Sequence, residues 1–217
     1  MRYREHEEQL SHCYSAVLMD VMDAMDTRYQ CMGPEIGPLD PSMRAWGEAV
    51  TIYLEAASEA PPEPYQLEME MIDDILPGQI IVAQCNMGQR CAFWGGLLSN
   101  AAVGRECAGI VTDGPSRDYV EIVELGFPVF CTGLSPYDSL ARLEGKDRNV
   151  PVVCGGIRVV PGDLVFADVD GTVVVPQAIA EEVIDKAWTK VRGESLVREE
   201  LRSGASVVET FKKYGIL

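Results

Sequence analysis

The chain has 217 residues, 47% of them hydrophobic and 24% charged, with a formal net charge of −16 at pH 7. That length suffices for one core of good size. The acidic balance excludes sequence-independent nucleic-acid binding, which needs a cationic face to displace counterions. Seven cysteines, at positions 13, 31, 85, 91, 107, 131 and 154, form no C-x-x-C pair and make an odd total. With a charged first stretch (MRYREHEEQL) and no run approaching about 18 apolar residues, this predicts a cytoplasmic protein with reduced thiols and no membrane span.

From Glu5 to about Met25 the apolar residues Leu10, Cys13, Val17, Leu18, Val21 and Met25 recur at three- and four-residue steps, which predicts one amphipathic helix. Asp20, Asp23 and Asp26 sit on it at threes and read as a solvated face. Gly33-Pro34 and Gly37-Pro38 mark a loop, and Ala49 to Ala56 alternates like a strand. Ser58 to Pro64 holds three prolines and reads as a turn-rich loop; Tyr65 to Ile75 then carries Leu67, Met71, Ile72 and Ile75 at helical spacing. Leu76-Pro77-Gly78 turns the chain into a buried strand, QIIVAQC.

Gly95-Gly96 introduces a small-residue helix, Leu97 to Cys107, followed by a short strand at Ile110 to Thr112, a turn at Asp113 to Ser116, a helix at Tyr119 to Leu125 and a strand at Phe127 to Leu134. Alternating strand and helix favours a layered α/β domain. Ser135 to Asn149 reads as a polar loop, and Val150 to Pro176 as strand and turn. Within the latter, Asp168-x-Asp170-Gly171 fits a hairpin turn better than a calcium loop, because the later EF-hand ligands are missing. Gln177 to Val208 is helical and charged, with a short polar tail after it. The economical reading is a single domain over 1–217 with a helical C-terminal extension.

The only histidines are His6 and His12, which argues against histidine triads and histidine-rich zinc sites. Neither a phosphate loop nor a G-x-G-x-x-G opening a helix is present. Cys107 has Arg105 near it in sequence but also Glu106, a poor setting for a thiolate nucleophile. What remains is the stretch Gly95–Asp118. If Gly95-Gly96 leads into a helix, the free N–H groups of its first turn form an anion site. Arg117 offers a fork of donors to a carboxylate, and Asp118 suits a hard divalent cation such as Mg²⁺. Together they fit a 2-oxo acid held by carboxylate and keto oxygen, with enolate charge stabilised. From spacing alone a plain loop salt bridge between Arg117 and Asp118 is the commoner explanation, since surface ion pairs are frequent and weak.

The run GGLLSNAAVGRECAGIVTDGPSRDYVEI, followed by GFPVF and VVPGDLVFADVDGTVVVP, resembles the RraA-like family, which includes metal-dependent 4-hydroxy-4-methyl-2-oxoglutarate/4-carboxy-4-hydroxy-2-oxoadipate aldolases. The likeness runs from about Val17 to the C-terminus. It implies a three-layer β/β/α sandwich of the swivelling, phosphohistidine-domain-like kind, assembled as a homotrimer or hexamer with sites at subunit interfaces. It further implies that the backbone of Gly95, Gly96, Leu97 and Leu98 cradles a pyruvyl carboxylate, that Arg117 contacts substrate, and that Asp118 is the protein ligand to Mg²⁺ or Mn²⁺. Aldolase members also use a glutamate from a neighbouring subunit's C-terminal helix, and Glu194, with Arg198 four residues on, is the nearest match.

One departure stands out. The aldolases carry an acidic residue where this chain has Gly96, giving G-x20-R-D-x2-E with Glu121 as a further contact to metal-bound water. The expectation is a divalent-metal-dependent lyase of 2-oxo acids, acting by retro-aldol cleavage to pyruvate or by oxaloacetate decarboxylation through a metal-stabilised enolate. The second of these reactions tolerates Gly96 better, since it deprotonates no alcohol. The rival is a non-catalytic RraA-type regulator that binds ribonuclease E or another protein.

Overall fold

The computed structural model describes residues 2–87 and 90–216. At its centre is an eight-stranded mixed sheet in which β2 (Ala45–Ala56) runs parallel to β3 (Gln79–Asn86), β3 to β4 (Gly109–Thr112) and β4 to β5 (Val129–Cys131). The two-residue β1 (Gly37–Pro38) closes the β5 edge antiparallel. On the other side β2 is shared along its length. Its first residues pair antiparallel with β9 (Leu164–Asp168), whereas Ile52 to Ala56 pair antiparallel with β6 (Leu143–Arg148), with an irregularity between Tyr53 and Leu54. β9 turns back into β10 (Gly171–Val175), and β7 (Val152–Cys154) with β8 (Ile157–Val159) forms a separate hairpin.

Two apolar cores lie on either side of this sheet. The larger gathers β2–β5 with α3 (Gln66–Asp73), α4 (Gly96–Gly104) and α5 (Tyr119–Leu125), around Ile52, Ile80, Val82, Trp94 and Phe130. The smaller packs α1 (Glu7–His12), α2 (Ser15–Ala24) and α6 (Ala180–Arg202) on β9 and β10. Strand alternation divides the labour: Val165, Ala167 and Val174 serve the first core, while Leu164, Phe166, Val173 and Val175 serve the second. Each such fully buried aliphatic or aromatic side chain contributes on the order of 2 kcal/mol, less the cost of ordering it. No described helix is long and apolar enough to cross a membrane.

The mixed α/β architecture with C-terminal helices agrees with expectation; several boundaries do not. The helix expected over Glu5–Met25 is two helices broken at Cys13 and Tyr14, both extended. Arg44 takes the carbonyls of Ser11 (2.7 Å), Leu10 (3.1 Å) and Cys13 at the break. Asp168 accepts from Ser15 N–H (2.8 Å) and Ser15 Oγ (2.6 Å) where α2 begins. The polar loop expected over Ser135–Asn149 contains β6, disguised because only Leu143 of its six residues is buried. The C-terminal helix stops at Arg202, and the supposed polar tail is a further helix, α7 (Val207–Tyr214), whose Ser206 Oγ accepts from Glu209 N–H at 3.4 Å in the manner of a capping box. Asp168–Gly171 is the hairpin turn between β9 and β10, as expected. All seven cysteines are free and six are buried; burial lifts the Cys107 thiol to about 11, too high for a nucleophile at neutral pH.

Candidate active site

The loops that leave β3, β4 and β5 do not diverge at the carboxyl ends of these strands. They pair again as isolated parallel bridges: Trp94 with Ser116, and Ser116 with Leu134. Ser116 N–H donates to Gly133 O at 2.9 Å, Ser135 N–H to Ser116 O at 2.9 Å, and Arg117 N–H to Trp94 O at 3.0 Å. Trp94, fully buried and stacked on Phe127, anchors this layer in the larger core. Arg117 and Asp118 are thereby brought directly beside Gly95 and Gly96, at the carboxyl edge of a parallel sheet where ligand sites of α/β proteins form.

Asp118 precedes α5 with φ of 62°, a left-handed conformation that few non-glycine residues adopt and that is found disproportionately at functional sites. A side chain in that place ordinarily caps its own helix. That of Asp118 does not; Oδ2 accepts Gly96 N–H at 3.0 Å, so the carboxylate faces the N-terminus of α4 instead. Ser99 N–H makes the first bond of that helix, to Gly95 O at 3.0 Å, so the amides of Leu97 and Leu98 lie ahead of the intrahelical ladder. Of the stretch expected to form a backbone cradle, Gly95–Leu98, the amides of Leu97 and Leu98 stand at the start of α4, and that of Gly96 is engaged by Asp118.

Side chains fill the space over both glycines. A Cβ on Gly95 would lie 2.6 Å from Asp118 Oδ2 and 3.0 Å from Arg117 Cγ, and one on Gly96 would overlap the Glu121 carboxylate. Glu121 is held there by Asn100, whose Nδ2 donates to Glu121 Oε1 and to Gly96 O, both at 2.9 Å. The space that a side chain at position 96 would enter is therefore filled by the carboxylate of Glu121, three residues after Asp118.

Arg117 does form the ion pair with Asp118 that the bland reading foresaw, at a loose 3.7 Å from Nε to Oδ2. A second carboxylate, Asp138, lies closer, 3.2 Å from Nη1. Asp138 in turn accepts the Tyr65 hydroxyl at 2.7 Å. Partial burial would raise the Asp138 carboxyl, but the Tyr65 hydrogen bond, the Arg117 charge and the amides of Ser139 and Leu140 prevail and hold it below the usual carboxylate range. Sequence reasoning missed Asp138, Tyr65 and Asn100. Asn100 lay inside the motif run and one helical turn from Gly96, so its spacing was a usable signal; Asp138 and Tyr65 had none.

Glu194 is not brought to this cluster within the chain. It lies on α6 against Arg198 (2.6 Å) and the Tyr14 hydroxyl. Among the described residues, no group of three or more His, Cys, Asp or Glu side chains is gathered as a ready metal cage. The donor set at hand is the side chain of Asp118, 45% exposed, with Glu121 nearby, which fits a hard cation that keeps most of its waters rather than a fully enclosed one.

This fold and this loop arrangement define an RraA-like α/β protein. A family model described as Aldolase/RraA, RraA-like, matches residues 15–174, and the chain belongs to that family. It is 29% identical over 208 residues to Protein DlpA of Legionella pneumophila, an alignment covering 95% of this chain and 33% of DlpA. It is 37% identical over 114 residues to a candidate 4-hydroxy-4-methyl-2-oxoglutarate aldolase of Halalkalibacterium halodurans, covering 52% of this chain and 54% of that protein. The chain thus spans a third to a half of these curated relatives. Among solved structures, Streptomyces coelicolor RraAS2, described as an unusual member of the RNase ES inhibitor RraA family, superposes with a TM-score of 0.78 at 31% identity, covering 90% of this chain and 96% of that one.

Proposed function

We propose that this protein is a divalent-metal-dependent lyase that releases pyruvate from a 2-oxo acid, by decarboxylating oxaloacetate or by retro-aldol cleavage. The observation that carries the reading is the convergence of Asp118 and Glu121 on the N-terminus of α4 beside Arg117, with neither carboxylate capping the helix it begins or belongs to. With Asp138, the site sets three carboxylates against one guanidinium. That surplus of negative charge repels an anionic substrate unless a cation offsets it, and Asp118 with Glu121 is the place for one.

Mg²⁺ or Mn²⁺ bound at Asp118 would supply Lewis-acid polarisation of the substrate's keto oxygen. The chain's own groups do the rest. The amides of Leu97 and Leu98 and the guanidinium of Arg117 receive the pyruvyl carboxylate and orient the bond to be broken out of the carbonyl plane. Glu121, fixed through one oxygen by Asn100, has its other oxygen to order the water that returns a proton to carbon. Oxaloacetate is the favoured substrate, because its cleavage requires no base to deprotonate an alcohol. Exposed apolar side chains at the rim, Leu97 at 83% and Val120 at 64%, support a subunit contact here in a trimer or hexamer, through which a neighbour's α6 and its Glu194 would reach the site.

The test is release of pyruvate by purified protein with Mg²⁺ and oxaloacetate, or with 4-hydroxy-4-methyl-2-oxoglutarate. Asp118→Ala should lower kcat/KM on the order of 10³-fold; a wild type with no metal-dependent pyruvate above background refutes the proposal. The likeness to RraAS2 favours a second reading, a regulator that binds a protein partner. A stoichiometric partner retained by Asp118→Ala, together with no pyruvate release, would select it.

A further inference from the structure

Arg117 is gripped from two loops at once. Asp118 faces Nε and Asp138 faces Nη1, while no partner for Nη2 is found among the described residues. The grip on the Asp138 side is built into the main chain. Ala92 forms a parallel bridge with Asp138 and donates its N–H to Tyr137 O at 2.9 Å, and Arg142 Nη1 donates to Asp138 O at 3.0 Å. The remaining carboxylate oxygen of Asp138 is taken by Tyr65, which enters α3 in the left-handed region (φ 63°) directly after the Pro61–Pro64 segment.

We propose that Asp138 is a positioning residue: locked by Tyr65 through one oxygen, it holds the Arg117 guanidinium through the other, so that the Nη2 edge is presented to the substrate carboxylate. This rests on the reading of the site given above. A free arginine side chain samples many rotamers, and fixing one before the ligand arrives removes that entropic cost from binding. Burial, and then the bond to Asp138, push the Tyr65 phenol up to about 12, so the hydroxyl remains a donor at any working pH. Arg117 contacts the part of the substrate that is alike in ground and transition states. Loosening it through Asp138 therefore weakens binding more than it slows the bond-breaking step.

The experiment is a calorimetric titration of oxalate, a compact dianion, into Mg²⁺-loaded wild type, Asp138→Ala, Asp138→Asn, Tyr65→Phe, Arg117→Ala and the Arg117→Ala/Asp138→Ala double variant. It is paired with kcat and KM on oxaloacetate. Asp138→Ala should weaken oxalate roughly tenfold and raise KM to match, with kcat changed less than about threefold. Asp138→Asn, which keeps an acceptor oxygen, should recover part of the loss, and Tyr65→Phe should lose about threefold. The double variant should bind no more weakly than Arg117→Ala alone. Wild-type binding by Asp138→Ala, or an equal loss whether or not Arg117 is present, would overturn the proposal by making Asp138 irrelevant or merely a loop staple. If wild type binds oxalate with the expected pattern but releases no pyruvate, the reaction falls and the positioning role stands. If wild type does not bind oxalate, both fall.

Discussion

Asp168 and Asp118 are both aspartates in tight turns near strand ends, and both invite a metal when read from sequence. Asp168 is buried and its oxygens are fully committed to the protein: Ser15 N–H, Ser15 Oγ and Asp170 N–H all donate to them, at 2.6–3.0 Å. Asp118 is half exposed, strained, and accepts one hydrogen bond, from Gly96. An acid that the fold uses as a fastener has its lone pairs occupied by donors from distant parts of the chain. An acid available for chemistry is held in place by the backbone and has oxygens to offer.

The comparison can be broken in both directions. The largest effect is expected at Asp118: the alanine variant should lose pyruvate release by about three orders of magnitude, while its thermal midpoint falls by only about 2–4 °C, since the one hydrogen bond lost is the part-buried one from Gly96 N–H. Asp168→Ala should do the reverse. Stripping the donors at the start of α2 and in the hairpin should cost about 3 kcal/mol, lowering Tm by roughly 6–12 °C in a chain of this size, with kcat of the folded fraction intact in the same assay. Gly96→Ala tests the site from its other wall. Its new Cβ must evict the flexible Glu121 carboxylate, and kcat/KM should fall about tenfold without loss of stability.

The smallest expected effect belongs to Asp113, an acid intermediate between these two cases. It accepts Cys85 N–H at 2.6 Å, yet burial raises its carboxyl from 3.8 to about 6. The folded state therefore binds this proton more tightly than the unfolded chain, and stability is lost as pH rises from about 4 through about 6. Asp113→Asn should raise stability at pH 7.5 by about 1 kcal/mol, discounted for residual exposure, and leave it unchanged at pH 4. Chemical denaturation at the two pH values measures this directly.

The strands β2, β3 and β4 and helices α4 and α5 were legible because their patterns are local: runs of buried β-branched residues, a Gly-Gly entry, a Pro-Gly turn. The break between α1 and α2 was not, since Arg44 and Asp168, which hold it, lie 31 to 153 residues away from what they bind. β6 escaped because its charged residues face outward and its pairing with β2 is not written in its own composition. At the site, the motif gave Gly95, Gly96, Arg117, Asp118 and Glu121 as a set. That Glu121 fills the room over Gly96, and that Arg117 prefers Asp138 to its own neighbour, are facts of three-dimensional packing.

The bridges from Trp94 to Ser116 and on to Leu134 divide the site into a floor and a rim with different tolerances. Residues on the floor are stitched through main-chain bonds to a fully buried tryptophan, so insertions or deletions among them would throw the whole set out of register. The Pro61–Pro64 segment belongs to no strand and is followed directly by Tyr65, whose phenol reaches the site at Asp138. For anyone redesigning which molecules enter, the rim is the editable part: its length and composition can be varied while the floor is left as it stands, provided position 65 keeps its hydroxyl.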